Sequence, residues 1–445
     1  MAASPEEHPG ALQADADANA MMTLAALAAN SGPVWDDYQA QEQSIWGSLE
    51  AQLGNANLAT GGEWQLLWVG LTENGANLSY IVQNVDAPAQ TPWFALSIRG
   101  TLAGNTTDAM QDTQVEPPAA DFSAELGLPA DTVHVSQGAY DAFVALTGAT
   151  YDPADGSPLD GTTLEGALTS LVASADSANI SVTGHSLGGA AATTIGLYLA
   201  KAVTWGSPVT IQVHTFAAPT AGLDDFATYF DDEFSGSDDS VNASWRLYNC
   251  FDIVPTAWVT SQMSAAEDWY PGGPLATTAV KDAINAMIKK PQGLPYTQPS
   301  VNPIVLNDPD NPLMDGAYRQ NTTTDFEDQL GFQHDNNTYL ELLGAPAVIE
   351  SPPMPADLSA RSYLSSSHID LSWSPGLSYS GGGGSVSYDI SRASDDSPSW
   401  ELITSTADTS YQDTGLSPLT TYTYAVQATD DIGYSPPAVA SATTA

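Results

Sequence analysis

Short apolar runs bounded by Gly, Asn or Pro alternate with longer helix-like runs along much of the chain. The runs that predict strands are 63–71, 77–85, 92–101, 179–183, 211–217 and 244–250. The runs that predict helices are 35–53, 162–174, about 188–202 and 222–234. Strands and helices that alternate in this way indicate an α/β fold, with a mostly parallel sheet and helices on its faces.

The pattern changes near residue 345. A stretch rich in Pro and Ala is followed by short alternating runs of Ser, Thr and Tyr with frequent turns. Such runs are typical of a β-sandwich of about 95 residues. We therefore expect two domains, an α/β domain over 1–349 and an all-β sandwich over 352–445.

The N-terminal segment, residues 1–30, is rich in Ala, Asp and Glu and predicts a mobile arm or a first helix. The residues before its short apolar run are acidic, whereas a secretory signal begins with basic residues. No run reaches the ~18 apolar residues of a membrane helix. The sequence predicts a soluble protein without a transmembrane segment; secretion is the preferred location, and a cytoplasmic one stays open.

The charge balance excludes one class of partner. The chain has 9 Lys and Arg against 53 Asp and Glu, a formal net charge of −44. Such a surface repels phosphate backbones and anionic membranes, so nucleic acid is not an expected partner. None of the acidic clusters has calcium-loop spacing, and the single Cys250 excludes an internal disulfide and a cysteine-based zinc cluster. The sequence predicts neither a metal nor a cofactor.

A candidate nucleophile lies in the stretch NISVTGHSLGGAAA, residues 179–192. A strand that ends in Gly-x-Ser-x-Gly and opens into a helix of small residues can hold Ser186 on a tight turn with its hydroxyl exposed. Gly184 and Gly188 are needed there because a Cβ would collide with the crossing strand and helix. The helix N-terminus offers N–H groups to an oxyanion. The alternative is a Gly-rich turn with an incidental serine.

A serine nucleophile needs a histidine base that a carboxylate orients, and in such sheets the chain order is Ser, acid, His. His334 is the candidate base by elimination. The other histidines precede Ser186, lie in a strand or belong to the second domain: His8, His134, His185, His214 and His368. Asp252 follows the strand 244–250, at the sheet edge where catalytic side chains gather, and a plain turn former is the alternative. The acids of the helix at 222–234 are predicted to be solvated: Asp224, Asp225, Asp231 and Asp232.

An ordered set of motifs resembles the class 3 lipases, the fungal-lipase-like branch of the α/β-hydrolases. The motifs are SIRGT, VTGHSLGGA, TFAAPTAGLDDFATYF, DIVP and HDNNTYL, spread over about residues 64–345. The resemblance implies an α/β-hydrolase fold and a catalytic triad of Ser186, His334 and Asp252. It also implies that Thr101 and Leu187 supply the oxyanion-hole N–H groups, and that His134 and His185 are structural.

The chain departs from this family at two places. The family's Gly-x-Pro-Arg-Val-Gly is AAPTAG at 217–222, without its arginine, which bears on the local packing. The interval from Asp252 to His334 is long and contains segments that look inserted near the site. The segment 102–131 falls where the family carries its lid, and a lid and a plain surface loop fit it equally well. The apolar residues of this segment are Met110, Val115, Phe122, Leu126 and Leu128.

The second domain resembles fibronectin type III. The resemblance is carried by PADLSA, by Trp373 in IDLSWSP, and by LSPLTTYTYAVQATD, where Tyr422 takes the place of the corner tyrosine. The run SGGGGS at 380–385 predicts a hairpin or linker loop. No chemistry is predicted here; the domain acts as a spacer, or it docks the enzyme on a polymer or a partner protein.

The sequence therefore predicts a serine carboxylester hydrolase, foremost a lipase that hydrolyses acylglycerol esters at a lipid–water interface. One alternative keeps the chemistry and changes the substrate to a polyester or a polysaccharide ester. Another is a catalytically silent binding protein that uses the hydrolase fold as a scaffold.

Overall fold

The computed structural model describes most of the chain. The described residues are 9–29, 32, 38–72, 74–101, 111–151, 158–236, 240–264, 270, 274–306, 326–349, 352, 354–363, 367–376, 385–395, 397–430 and 433–445. Met110 and the glycines of the SGGGGS run lie outside them.

Helices and strands alternate in the first 345 residues, and strands alone follow. The helices are α1 (Pro9–Leu27), α2 (Tyr38–Leu53), α3 (Gln137–Gly148), α4 (Leu164–Val172), α5 (Leu187–Lys201), α6 (Asp224–Glu233), α7 (Thr260–Met263), α8 (Thr278–Lys289), α9 (Phe326–His334) and α10 (Asn336–Leu343). The strands up to residue 306 are β1 (Trp64–Leu71), β2 (Leu78–Asn84), β3 (Trp93–Ile98), β4 (Ala120–Asp121), β5 (His134–Val135), β6 (Thr150–Tyr151), β7 (Thr162–Thr163), β8 (Ala178–His185), β9 (Val209–Phe216), β10 (Ala243–Asn249) and β11 (Pro303–Leu306). The later strands are β12 (Ala356–Ser362), β13 (His368–Ser374), β14 (Ser387–Ser394), β15 (Ser397–Thr406), β16 (Ser410–Thr414), β17 (Thr421–Thr429) and β18 (Ala438–Thr443).

A seven-stranded sheet in the order β1-β2-β3-β8-β9-β10-β11 forms the centre of the first part. The strands β1 to β3 pair antiparallel, and β3, β8, β9, β10 and β11 run parallel. Seven of the eight residues of β8 are buried, as expected where helices cover both faces of a parallel sheet. The predicted α/β fold is confirmed.

The interval between Asp252 and His334 extends this sheet. It contains α8 and β11, neither of which the sequence pattern predicted. β11 pairs parallel with β10, with Arg246 opposite Pro303. The interval therefore contains the last strand of the sheet, in addition to the segments that the sequence analysis described as inserted near the candidate site.

Of the two alternatives predicted for residues 1–30, a mobile arm and a first helix, the structure shows the helix over Pro9–Leu27, and an arm is wrong for residues 18–28. Almost all of these residues are buried in the main hydrophobic core. Leu24 O accepts hydrogen bonds from Tyr80 OH at 2.5 Å and from Ser97 Oγ at 3.0 Å, both on the sheet. The helix is thus a layer of the fold. None of the described helices is long and apolar enough to cross a membrane.

The second half of the segment 102–131 also belongs to the core. Phe122 is fully buried, and its ring packs edge-on against Phe143 with 4.9 Å between centroids. Leu126 is buried in the same core. Residues 120–131 therefore contribute to the core of the domain. Residues 102–110 lie outside the described part of the chain, and a lid role of the segment 102–131 stays a hypothesis.

Two acids of α6 make structural contacts. Asp225 Oδ2 lies 2.6 Å from His134 Nδ1, and Asp225 Oδ1 accepts from His134 N at 3.0 Å. Asp231 Oδ1 accepts from Ser300 N at 2.9 Å. The prediction that these acids are only solvated is wrong for Asp225 and Asp231, whereas Asp224 and Asp232 are exposed.

The second part of the chain is a β-sandwich. Its two sheets have the orders β12-β13-β16 and β15-β14-β17-β18, and all paired strands are antiparallel. Trp373 and Tyr424 contribute to a separate hydrophobic core between them. Tyr422 OH accepts a hydrogen bond from Ser417 N at 3.1 Å, which ties the turn before β17 as a corner tyrosine does. The all-β sandwich is confirmed, and we propose the domain boundary between residues 349 and 352.

Candidate active site

Ser186 occupies a strained turn between β8 and α5. Its φ is 59° and its ψ −131°, a region that non-glycine residues rarely adopt. A Cβ on Gly184 would lie 2.2 Å from Gly188 O, and a Cβ on Gly188 would lie 2.2 Å from Ile98 O. Glycine is therefore required on both sides of the serine, for the steric reason that the sequence predicted.

The three residues predicted to form a triad lie together. His334 Nε2 is 2.8 Å from Ser186 Oγ, and His334 Nδ1 is 2.7 Å from Asp252 Oδ2. Because a carboxylate only accepts hydrogen bonds, Nδ1 donates to Asp252 and leaves the Nε2 lone pair to accept from the serine hydroxyl. Asp252 is 1% exposed and the His334 side chain is 24% exposed. The imidazole therefore lies between the buried carboxylate of Asp252 and the hydroxyl of Ser186.

Asp252 is fixed by partners that sequence reasoning missed. Tyr339 OH donates to Asp252 Oδ2 at 2.9 Å, and Val254 N donates to Asp252 Oδ1 at 2.9 Å. The Tyr339 hydroxyl also accepts from Asn249 N at 3.0 Å, at the end of β10. Tyr339 lies in the HDNNTYL motif, five residues after His334. That proximity was the one sequence signal that could have marked Tyr339 as part of the site. These bonds hold both carboxylate oxygens in place.

The backbone beside His334 is anchored to the same strand end. Asn249 Nδ2 donates to Gln333 Oε1 at 2.6 Å and to Gln333 O at 3.0 Å, and both side chains are fully buried. Asp335 caps α10, where Oδ1 accepts from Asn337 N at 2.9 Å. The contacts of Gln333 and Asp335, the two chain neighbours of His334, therefore hold the histidine beside Ser186.

Electrostatics make His334 more basic than an ordinary histidine. Burial acts to lower its pKa, but the charge and hydrogen bond of Asp252, with the charges of Asp112 and Asp335, outweigh burial and raise the pKa. The neighbouring His185 behaves in the opposite way. Burial and the charge of His334 hold the pKa of His185 well below the usual range, so its ring stays neutral. The two ring centroids are 4.7 Å apart.

The two residues predicted to form an oxyanion hole both lie near Ser186, since Leu187 follows it in the chain and Thr101 lines a cavity with it. Leu187 is the first residue of α5, a position whose N–H has no acceptor within the helix. Thr101 follows Gly100, where a Cβ would lie 2.8 Å from His185 O, so the glycine allows this strand end to approach the serine. Thr101 Oγ1 donates to Asp112 Oδ2 at 2.6 Å. Asp112 is a further site residue that the sequence did not predict.

The AAPTAG segment folds without the arginine of the family motif. Ala217 stands where the family has its first glycine, and it adopts the left-handed conformation with φ 54°. Thr220 stands where the family has arginine, and its Oγ1 donates to Ala257 O at 2.7 Å. The departure is therefore accommodated by one strained alanine and one hydroxyl contact.

Two cavities meet at Ser186. The first, here called the His334 cavity, has a volume of about 310 Å³ and is lined by Arg99, Thr101, Ser186, His334, Tyr434 and Pro436 among others. The second, here called the apolar cavity, has a volume of about 250 Å³ and is lined by Ser186, Val254, Trp258, Met263 and Met287 among others. Ser186 thus borders both cavities.

Known proteins share both parts of this architecture. Residues 95–261 match the family model of lipases (class 3), and residues 351–444 match that of the fibronectin type III domain. The first match includes Thr101, Ser186 and Asp252 and ends before His334. Among curated proteins, none matches the chain.

Solved structures include similar folds. The M37 lipase is 22% identical, covers 73% of this chain and 92% of its own, and has a TM-score of 0.56. The Lip2 lipase from Yarrowia lipolytica is 18% identical over 56% of this chain and 75% of its own, with a TM-score of 0.39. FN3tt is 30% identical over 21% of this chain and 95% of its own, with a TM-score of 0.18.

The likeness to M37 lipase is one of fold. The two family matches are more specific because they include the fibronectin-like motifs and all the lipase-like motifs except HDNNTYL. The resemblance is therefore confirmed: residues 95–261 match the class 3 lipase family, and residues 351–444 match the fibronectin type III domain.

Proposed function

We propose that the protein is a serine carboxylester hydrolase of lipase type, with Ser186, His334 and Asp252 as its catalytic triad. The observation that carries the proposal is the alignment of one imidazole between two partners, with Nε2 2.8 Å from Ser186 Oγ and Nδ1 2.7 Å from Asp252 Oδ2. The class 3 lipase match supports the same reaction class.

The proposed reaction has two halves. Ser186 Oγ attacks the ester carbonyl while His334 Nε2 takes the hydroxyl proton, and Asp252 stabilises the resulting imidazolium. The N–H groups of Thr101 and Leu187 bind the oxyanion of the tetrahedral intermediate. His334 then donates the proton to the departing alcohol, which leaves an acyl group on Ser186 Oγ. In the second half a water molecule gives a proton to His334 Nε2 and attacks the acyl carbonyl. The carboxylic acid departs as Ser186 Oγ takes the proton back from His334.

The apolar cavity favours a fatty acyl substrate. Its described lining beyond Ser186 includes Val254, Trp258, Met263 and Met287, side chains that exclude water and suit an alkyl chain. The flexible thioethers of methionine adapt to chains of different length. We therefore propose acylglycerol esters as the substrate class, ahead of a polyester or a polysaccharide ester. A rate profile over p-nitrophenyl esters from acetate to laurate tests this choice, and rates that fall steadily with chain length would contradict it.

Ser186→Ala is expected to abolish hydrolysis of p-nitrophenyl butyrate and labelling by a fluorophosphonate. Loss of the attacking oxygen removes the acyl-enzyme step, so kcat/KM should fall by roughly 10⁴-fold or more. Ser170→Ala is a matched control, because this serine is exposed on α4 and is not among the residues that line the two cavities at Ser186. Retention of activity by the Ser186 variant would refute the proposal.

His334→Ala is expected to cause a similar loss, because no base then accepts the serine proton. His368→Ala, which removes a histidine of the second domain, is the control and should keep full activity. Thermal unfolding midpoints of all four variants show whether each protein is folded. An active His334 variant would redirect the search to the remaining histidines.

A further inference from the structure

Two residues of the fibronectin-like domain line the cavity that contains Ser186 and His334. They are Tyr434 and Pro436, which lie between β17 and β18. Both are half-buried. The second domain is therefore part of the wall of the candidate active site, a role that neither its sequence nor its family match predicts.

The segment that carries these two residues is fixed at its base. Ser435, between them, is fully buried; its N donates to Ala428 O at 2.8 Å and its Oγ accepts from Ala428 N at 2.8 Å. Gln427 Nε2 donates to Ser435 O at 2.9 Å and to Gly32 O of the first domain at 3.2 Å. The wall is thus tied both to β17 and to the chain that follows α1.

The chemistry of the proposed reaction decides which part of an ester faces this wall. His334 Nε2 must reach the oxygen of the departing alcohol in order to protonate it. His334 lines the cavity that Tyr434 and Pro436 bound, whereas the described lining of the apolar cavity does not include it. The alcohol portion of the ester therefore lies in the His334 cavity, and the acyl chain in the apolar cavity.

We propose that Tyr434 and Pro436 of the second domain set the upper size of the alcohol portion that the enzyme accepts. The inference rests on the proposed ester hydrolysis. The cavity volume of about 310 Å³ lies at the lower end of ligand pockets, so one aromatic side chain in its wall takes up a substantial share of the available room. The second domain is then a specificity element of the site.

Full-length variants at Tyr434 test the proposal with butyrate esters of methanol and of 2-naphthol. The measured quantity is the ratio of kcat/KM for the naphthyl ester to that for the methyl ester. Tyr434→Ala is expected to raise this ratio by about tenfold relative to the unmodified protein, because it opens the wall. Tyr434→Trp is expected to lower it. The intrinsic difference in leaving-group reactivity cancels when each variant is compared with the unmodified protein.

Matched variants separate size from other effects. Tyr434→Phe keeps the ring and is expected to keep the ratio, and Tyr363→Ala removes an equally large, 52% exposed side chain elsewhere on the second domain and is expected to change nothing. The laurate to butyrate ratio for p-nitrophenyl esters should be the same in the Tyr434 variants as in the unmodified protein, because the acyl chain lies elsewhere.

The outcomes distinguish the two proposals. If the unmodified protein hydrolyses esters but the alcohol ratio of Tyr434→Ala is unchanged or lower, the second domain does not set alcohol size. A shift of the acyl ratio instead of the alcohol ratio also overturns the inference. If the unmodified protein hydrolyses no ester, the proposed function itself fails.

Discussion

His334 is the residue on which three acidic side chains act. Burial alone would favour its neutral form, but Asp252, Asp112 and Asp335 together raise its pKa above the ordinary value of 6.5. The proposed mechanism needs the neutral imidazole as base. Hydrolysis should therefore be lost as the pH falls through this raised pKa, so the acidic limb of the kcat/KM profile should lie above pH 6.5.

Asp112→Asn is expected to move that acidic limb to lower pH. Asp112 is one of the charges that raise the pKa of His334, so removing this negative charge lowers the pKa of the imidazole. The amide oxygen of asparagine can still accept from Thr101 Oγ1, so the local hydrogen bond is kept. The measurement is kcat/KM for p-nitrophenyl butyrate between pH 5 and pH 9.

Asp395→Asn is the control, because it makes the same charge change at an exposed position of the second domain. It should leave the limb where it is in the unmodified protein. An upward shift or no shift in Asp112→Asn would show that Asp112 does not act on the base.

Residues differ in how far the sequence could predict their roles. Ser186 was predictable because its strand, glycines and helix lie within fourteen residues, and each has a local steric reason. His334 was reached by elimination and by resemblance, because it meets Ser186 across 148 residues of sequence. Tyr339 and Asn249 could not be predicted as partners of Asp252 and Gln333, because no pattern in the sequence says which buried polar groups pair.

At the scale of elements, the tight junction between β8 and α5 holds the candidate nucleophile. Gly184→Ala is expected to destabilise the protein by about 3 kcal/mol, because the new Cβ would lie 2.2 Å from Gly188 O and backbone must shift. Gly184 is not at a positive φ, so the effect is steric. The unfolding midpoint in a thermal scan measures it.

Gly47→Ala is the matched control within the same fold. This glycine is exposed inside α2, and a Cβ there meets nothing within 4 Å. Alanine should stabilise the helix by about 1 kcal/mol, so the two identical substitutions should shift the midpoint in opposite directions. If Gly184→Ala unfolds at the same temperature as the unmodified protein, the junction is less tight than these distances indicate.

Two elements were not specified by the sequence pattern: α1, which stayed open between an arm and a helix, and β11, which was not predicted. The buried part of α1 is built mostly from alanine and methionine and is covered almost all round, so it has no polar face to mark it as a core helix. β11 has only four residues, Pro303–Leu306, so its run is too short for a periodicity that would distinguish a strand from an extended loop. Both elements are specified by the surfaces that they cover.

At the scale of the whole molecule, described residues of both domains line the His334 cavity, and Gln427 Nε2 of the second domain donates a hydrogen bond to Gly32 O of the first. The fibronectin-like resemblance suggested a spacer or a docking module from composition and motif alone. Composition could not predict that Tyr434 and Pro436 line the His334 cavity, because nothing in the sequence distinguishes them from other loop residues. Only the fold brings them to this cavity.

The net charge of −44 is also a property of the whole molecule, and it predicts how salt changes stability. Many like charges in a compact chain repel one another, and folding brings them closer together. Added NaCl screens this repulsion, since the Debye length falls from about 10 Å at 0.1 M to about 3 Å at 1 M. The midpoint of thermal unfolding should therefore rise with NaCl concentration, most steeply below roughly 0.5 M, where the screening length changes fastest.

Ion-specific effects on apolar burial instead grow steadily with concentration and differ between NaCl and NaBr. A rise that is equal in the two salts at low concentration supports screening of charge repulsion, and a flat or falling midpoint over that range would show that the acidic surface does not strain the fold.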